Sequence, residues 1–268
     1  MERMFYYPQR GLTTPPPHLH AVEEVRFASP DGTRLHGWFV PTETGPPEAA
    51  ATIIHVHGNA GNLEDHIGFT EYLPPAGFNL FIFDYRGYGQ SEGSARKRRD
   101  LIADAHAALD VVLERPDVDP DRIGLFAQSL GGSIGLNVMA DRPEIRAAVV
   151  LSAFTSWREM AASAVGGEPP SWIGRSLAKL FIPDDARPVD AIGRIDRPLL
   201  LIHGDADRIV PVAHGRRLAG AASEQTRYVE IPGGDHNDLR WTSPEVDELT
   251  IDFFRSRLPA SADVDQAP

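Results

Sequence analysis

Six short apolar runs constrain this chain more than any other feature: Ala51 to Val56, Leu80 to Phe83, Ile123 to Phe126, Ala147 to Leu151, Leu199 to Ile202 and Tyr228 to Ile231. A strand with one wet face alternates apolar and polar residues, whereas an unbroken run belongs to a strand buried on both faces, as in a parallel sheet. Helix-period segments lie between and after the runs, at Leu63 to Leu73, Lys97 to Glu114, Leu130 to Ala140, Val212 to Ala221 and Val246 to Arg257. This alternation predicts an α/β fold with helices on both faces of a mostly parallel sheet. Ahead of the first run, Val22 to Ala28 and Arg34 to Val40 alternate around Asp31-Gly32. That is a hairpin signal, and it adds two antiparallel strands at one edge to make eight.

With 268 residues, 42% of them hydrophobic, the chain can fill one large core. The expected organisation is an N-terminal arm over 1–21, one domain over 22–258, and a disordered tail over 259–268. The stretch from about 153 to 197 interrupts the rhythm. It carries Trp157, Trp172 and Phe181 among several Pro and Gly, which is how a small lid inserted over a substrate pocket would read, with an irregular loop as the plainer alternative.

The net charge of −12 argues against nucleic acid or an anionic membrane surface as partner. The one basic block, Arg96 to Arg99, is expected to be a solvated face. Without cysteine, disulfides and thiol nucleophiles are excluded. The N-terminus lacks an apolar signal region and no run reaches membrane-spanning length, so a cytoplasmic protein without a membrane span is expected.

Chemistry enters at Ile123-Gly-Leu-Phe-Ala127-Gln-Ser129-Leu130-Gly131-Gly132. Here a short strand turns through a serine between small residues directly into a helix, the pattern of a nucleophile elbow. Ala127 stands where the usual motif has glycine. A serine hydroxyl needs a neutral imidazole in reach, itself oriented by a carboxylate. The later strands supply both in the order serine, acid, histidine: one leads into His203-Gly-Asp205-Ala-Asp207, the other into Pro232-Gly-Gly-Asp-His236. Asp207 is expected to be the acid, and Asp205 to hold its loop by accepting backbone amides.

Acyl transfer also needs donors for the developing oxyanion. The first apolar run ends in His57-Gly58-Asn59-Ala60-Gly61-Asn62, and the backbone N–H groups of Asn59 and Leu130 are assigned to that hole. A phosphate-cradling loop is the rival reading, but G-x-G-x-x-G and a Walker lysine are both absent. His55 and His57 read as packed core histidines, and no metal site is expected. Asp84 and Arg86 read as residues that fix their loop, and Ser91 as no rival nucleophile because no elbow surrounds it.

Together, His57 to Asn62, Asp84-Tyr-Arg-Gly-Tyr-Gly-Gln-Ser-Glu-Gly93, Ser129-Leu-Gly-Gly132, His203-Gly-Asp-Ala-Asp207 and Gly234-Asp-His236-Asn-Asp238 resemble the α/β-hydrolase superfamily over Val22 to Leu258. They are most similar to α/β-hydrolase-domain proteins akin to serine aminopeptidases and small esterases. The resemblance implies Ser129, Asp207 and His236 as a triad, the Asn59 and Leu130 amides as oxyanion hole, and no cofactor. The membrane anchor ahead of the domain in many eukaryotic members is missing, so a membrane substrate is not expected. The resulting expectation is a serine hydrolase acting on a small acyl ester or thioester. A peptidase or acyltransferase on the same triad, and a non-catalytic ligand-binding protein on the same fold, are the alternatives.

Overall fold

The hairpin strands β1 (Glu23–Ala28) and β2 (Arg34–Val40) pair antiparallel, and β2 joins the edge of a larger sheet through antiparallel β4 (Asn79–Asp84). From there β3 (Thr52–Val56), β5 (Ile123–Gln128), β6 (Ile145–Leu151), β7 (Leu199–Gly204) and β8 (Thr226–Ile231) continue it. The eight strands lie in the order β1-β2-β4-β3-β5-β6-β7-β8, all parallel from β4 onward. This computed structural model describes residues 6–166, 172–183 and 185–259. Residues 1–5 of the expected arm, 167–171 and 184 of the expected lid, and the expected tail from 260 onward lie outside the described residues.

Every residue of β3, β4, β5 and β7 is buried, because helices cover both faces. On one face α2 (Arg98–Leu113), α3 (Leu130–Asp141), α6 (Pro188–Ile192) and α7 (Ala213–Ala221) enclose a core with Leu101, Ile134, Ile192 and Leu218. On the other, α1 (Leu63–His66) and α9 (Glu245–Arg257) enclose a second with Leu63, Phe78, Phe253 and Phe254. Two helices, α4 (Trp157–Gly166) and α5 (Trp172–Phe181), follow β6, and the short α8 (Leu239–Thr242) follows β8. No helix among the described residues is long and apolar enough to cross a membrane.

Three sequence expectations need correction. The run Tyr228 to Ile231, expected to be buried on both faces, forms the edge strand β8, in which only Ile231 is buried. The helix expected over Leu63 to Leu73 stops at His66 and passes through a 3-10 turn over Ile67–Phe69. The Thr70 hydroxyl is drawn inward to His55 Nδ1, 2.8 Å away, and Pro74-Pro75 could not have continued a helix. The basic block is not uniformly solvated: Arg98 is 1% exposed. Its guanidinium donates to the Pro183 carbonyl at 3.0 Å and lies 5.1 Å from the Trp157 ring centroid, which replaces its hydration.

The topology also explains which loops meet. Strand order runs outward in opposite senses from β3 and β5, and loops at the carboxyl ends of strands flanking such a switch point form a crevice. Val56 pairs with Ala127, so the loop after β3 lies beside the turn after β5. Gly204 pairs with Ile231, so the loops after β7 and β8 are neighbours as well.

Candidate active site

Ser129 sits between β5 and α3 at φ 54° and ψ −114°, a strained backbone for a residue with a Cβ. Its N–H donates to the Leu151 carbonyl at 2.8 Å, which fixes the turn to β6. The turn is possible because α3 begins hard against β3: a Cβ on Gly131 would drive into the Val56 and His57 carbonyls.

Ser129 Oγ lies 2.9 Å from His236 Nε2, and His236 Nδ1 lies 2.7 Å from Asp207 Oδ2. Asp207 and His236 are both buried. The second carboxylate oxygen of Asp207 accepts the N–H groups of Ile209 at 2.9 Å and Val210 at 2.7 Å. Burial alone would raise this carboxyl. Hydrogen bonds from His203 and His236, with the Val210 amide, outweigh it and hold Asp207 well below the usual carboxylate range. An ionised carboxylate only accepts, so Nδ1 of His236 carries the proton, and in the neutral ring Nε2 is then a bare acceptor facing the Ser129 hydroxyl.

Of the two acids in the loop after β7, Asp207 is the one that reaches His236. Asp205 accepts the Gly233 N–H at 2.6 Å and so ties the loops after β7 and β8 together. Asp235 accepts the His236 N–H at 2.8 Å. The adjacent Arg208 guanidinium holds its carboxyl down at about 2.

The loop after β3 supplies the opposite wall. Asn59 and Leu130 both line the cavity that holds Ser129. The Asn59 side-chain oxygen accepts the Tyr88 hydroxyl at 2.9 Å and the Tyr7 N–H at 3.2 Å. The Tyr7 contact comes from the arm, which continues as a strap: the Gln9 N–H donates to the Gly61 carbonyl and the Gly89 N–H to the Gln9 carbonyl. Nothing local in the sequence marks this strap, because its partners lie more than 50 residues away.

His57 is fully buried, and its carbonyl accepts the Tyr85 hydroxyl at 2.8 Å. His55 is buried on Thr70 and held well below its ordinary value by desolvation. Arg86 grips Asp104 of α2 and Asp31 of the hairpin at 2.7 and 2.6 Å, and Leu63 N–H donates to Asp84 at 2.8 Å. The Ser91 hydroxyl donates to the Asp84 carbonyl and accepts the His36 N–H.

The cavity has a volume of about 300 Å³, and its apolar wall is Phe154, Trp157, Met160, Ile209 and Val210. Trp157 is clamped by Arg98, by an edge contact with Phe154 at 5.0 Å and by Tyr6 of the arm at 6.3 Å. Phe181 is 45% exposed and is not part of this wall. It lies at the last turn of α5. Trp172 opens α5, and its side chain lies outside the described residues. Sequence reasoning missed His66, which lines the cavity and stacks on His57 with ring centroids 4.9 Å apart. Desolvation lowers it to about 4.

Residues 47–184 match the family described as serine aminopeptidase, S33. The protein YfhR of Escherichia coli strain K12, described as uncharacterized, is 41% identical over 260 residues, covering 95% of this chain and 87% of that protein. The alpha/beta hydrolase domain-containing protein WAV2 of Arabidopsis thaliana is 32% identical over 266 residues, with 91% and 84% coverage. Among solved structures, the Pyrococcus furiosus esterase Pf2001 superposes with a TM-score of 0.76 at 21% identity over 94% of this chain and 99% of that one. The solved esterase agrees with the fold, and the family match over half the chain together with relatives covered over most of their length shows that the chain belongs to the alpha/beta-hydrolase superfamily, as a hydrolase of the family described as serine aminopeptidase S33.

Proposed function

We propose that the chain is a serine hydrolase of small acyl esters or thioesters, with Ser129 as nucleophile, His236 as general base and acid, and Asp207 as the group that orients His236. The observation that carries this reading is the chain of contacts at 2.9 and 2.7 Å between three side chains delivered by the ends of β5, β7 and β8. Ser129 Oγ adds to the carbonyl carbon while its proton passes to His236 Nε2. That proton then goes to the departing oxygen or sulfur as its bond to carbon breaks, leaving an acyl-serine. Water repeats the sequence and releases the acid.

The developing oxyanion is placed at the N–H groups of Asn59 and Leu130. Leu130 is the first residue of α3, where a helix N–H has no carbonyl one turn back and the macrodipole favours negative charge. Among the described residues, the cavity lining includes no Asp or Glu side chain. A protonated amino group bound there would lose hydration without gaining a counter-ion, so the lining favours an uncharged acyl group over an aminopeptidase substrate. The wall from Phe154, Trp157 and Met160 comes from the segment after β6, which we read as the lid insertion.

The test is labelling by a fluorophosphonate, followed by assay on short acyl esters, thioesters and aminoacyl amides. Wild-type protein should label and Ser129→Ala should not, with an unchanged thermal melt. Labelling that survives in Ser129→Ala would refute the nucleophile, and preference for amides with a free amine would refute the ester assignment.

A further inference from the structure

The cavity around Ser129 does not end at its apolar wall. A shallower groove shares Asn59, Ala60, His66 and Asn237 with it and runs on to Phe69 and Trp241. We propose that this groove is the leaving-group subsite, and that it takes a planar, aromatic alcohol or thiol portion of the substrate. The inference rests on Ser129 being the nucleophile, and adds to it the class of group that the enzyme expels.

Direction comes first. His236 Nε2, 2.9 Å from Ser129 Oγ, must hand its proton to the departing atom, so the leaving group sits on the His236 side of the tetrahedral centre. Asn237, next in the chain, lines both the cavity and the groove, and so continues that side outward. The acyl portion is left to the wall of Phe154, Trp157 and Met160.

The chemistry of the groove supplies the class. Trp241 is 58% exposed, yet it is not loosely placed. Its ring meets Phe69 edge to face at 5.1 Å, and its Cζ2 lies 3.8 Å from where a Cβ on Gly68 would sit. The neighbouring Arg240 anchors α8 by donating to the Gly68 carbonyl at 2.5 Å and to Asp247 at 2.9 Å. His66 stacks on Phe69 with centroids 6.2 Å apart at 29°, and at neutral pH it is uncharged. The groove is therefore bordered by three aromatic rings, of which Phe69 and His66 are packed against their neighbours and Trp241 presents an exposed indole, continuous with the cavity that holds the nucleophile. Such a surface rewards a flat ring and gives an alkyl chain little geometric advantage. Among the described residues, the one carboxylate bordering it, Asp65, already accepts the Asn62 N–H at 3.0 Å.

The decisive experiment compares benzyl and n-butyl esters of one short acid, whose alkoxides differ little in basicity, on wild type, Trp241→Ala and Trp241→Phe. Trp241→Ala should lose about three- to tenfold in kcat/KM on the benzyl ester, mainly through KM, and stay within about twofold on the butyl ester. Trp241→Phe should retain most of the benzyl preference. Ser129 labelling by a small alkyl fluorophosphonate should proceed at the wild-type rate in all three proteins. Equal losses on both esters, or none on either, would overturn the subsite while leaving the labelled serine hydrolase standing. Wild-type protein that neither labels nor cleaves either ester would overturn the nucleophile itself, and the subsite with it.

Discussion

Gly135 of α3 faces Ala127 of β5 so closely that a Cβ on Gly135 would lie 3.0 Å from the Ala127 Cβ and 2.8 Å from Leu125 Cδ2. This contact accounts for the alanine in the elbow motif. The methyl group that replaces the motif's hydrogen occupies space left by a helix residue with no side chain, and Ala127 is fully buried there. The helix can therefore still approach the sheet closely enough to hold Ser129 at its strained φ.

Gly135→Ala should accordingly destabilise the fold by about 1–3 kcal/mol, the usual cost of overpacking a filled core. Adding Ala127→Gly should recover part of the loss by removing one of the two collisions. Urea unfolding of the two variants decides it: a double variant no more stable than Gly135→Ala would break the proposed coupling.

Asp207 has a depressed folded-state pKa, so its ionised form stabilises the native protein above the unfolded carboxylate value of about 4 and that stabilisation is lost as pH falls below it. Asp207→Asn should flatten the acid limb of a stability-versus-pH curve. It should also lower kcat by about 10⁴-fold, because an amide in that place can favour the wrong imidazole tautomer. Measurement of both quantities separates the roles; an unchanged kcat would remove Asp207 from the relay.

His66 titrates in the opposite sense to a histidine that gains an acidic partner. It is held at about 4 in the fold, while an unfolded histidine titrates near 6.5. Between these values the unfolded chain binds the extra proton, so native stability falls as pH is lowered from about 6.5 toward 4. His66→Phe keeps a ring on His57 and Phe69 and should flatten that interval. Chemical denaturation at pH 7 and pH 5 measures it, and equal slopes in the two proteins would contradict the assignment.

Strand placement was legible because burial on both faces leaves a run with no polar position, as in Leu80 to Phe83 and Leu199 to Ile202. The chain order of Ser129, Asp207 and His236 was equally readable, since each follows a strand-like run, although the run before His236 carries Glu230 and its strand β8 lies half-buried at the sheet edge. What was not legible depends on partners remote in sequence. Arg98 is buried because carbonyls near residue 183 and the Trp157 ring replace its hydration, and a block of four basic residues gives no hint of that. Phe181 carries the same apolar signal as Trp157, yet Trp157 is buried and lines the cavity while Phe181 is 45% exposed and does not. The helix from Leu63 ends early because Thr70 is recruited by His55, fifteen residues back.

The Asn59 side chain is the join between the arm, the loop after β4 and the proposed oxyanion loop, with its oxygen accepting Tyr88 O–H and Tyr7 N–H. Removing one donor leaves the other in place, so Tyr88→Phe should not orphan the acceptor, but it should let the loop after β3 shift. A single hydrogen bond is worth about 1 kcal/mol net, which sets the expected loss in kcat at about fivefold. KM should change less, because the Asn59 amide is assigned to charge that develops only in the transition state. Asn59→Ala keeps the backbone N–H but cuts both ties, and should lose more than Tyr88→Phe. The double variant should be no worse than Asn59→Ala alone, since the Tyr88 hydroxyl acts through that oxygen. Steady-state kinetics on one ester, with thermal melts as a control for folding, distinguish this from a merely structural tie. In that case the melting temperature would fall while kcat stayed at the wild-type value.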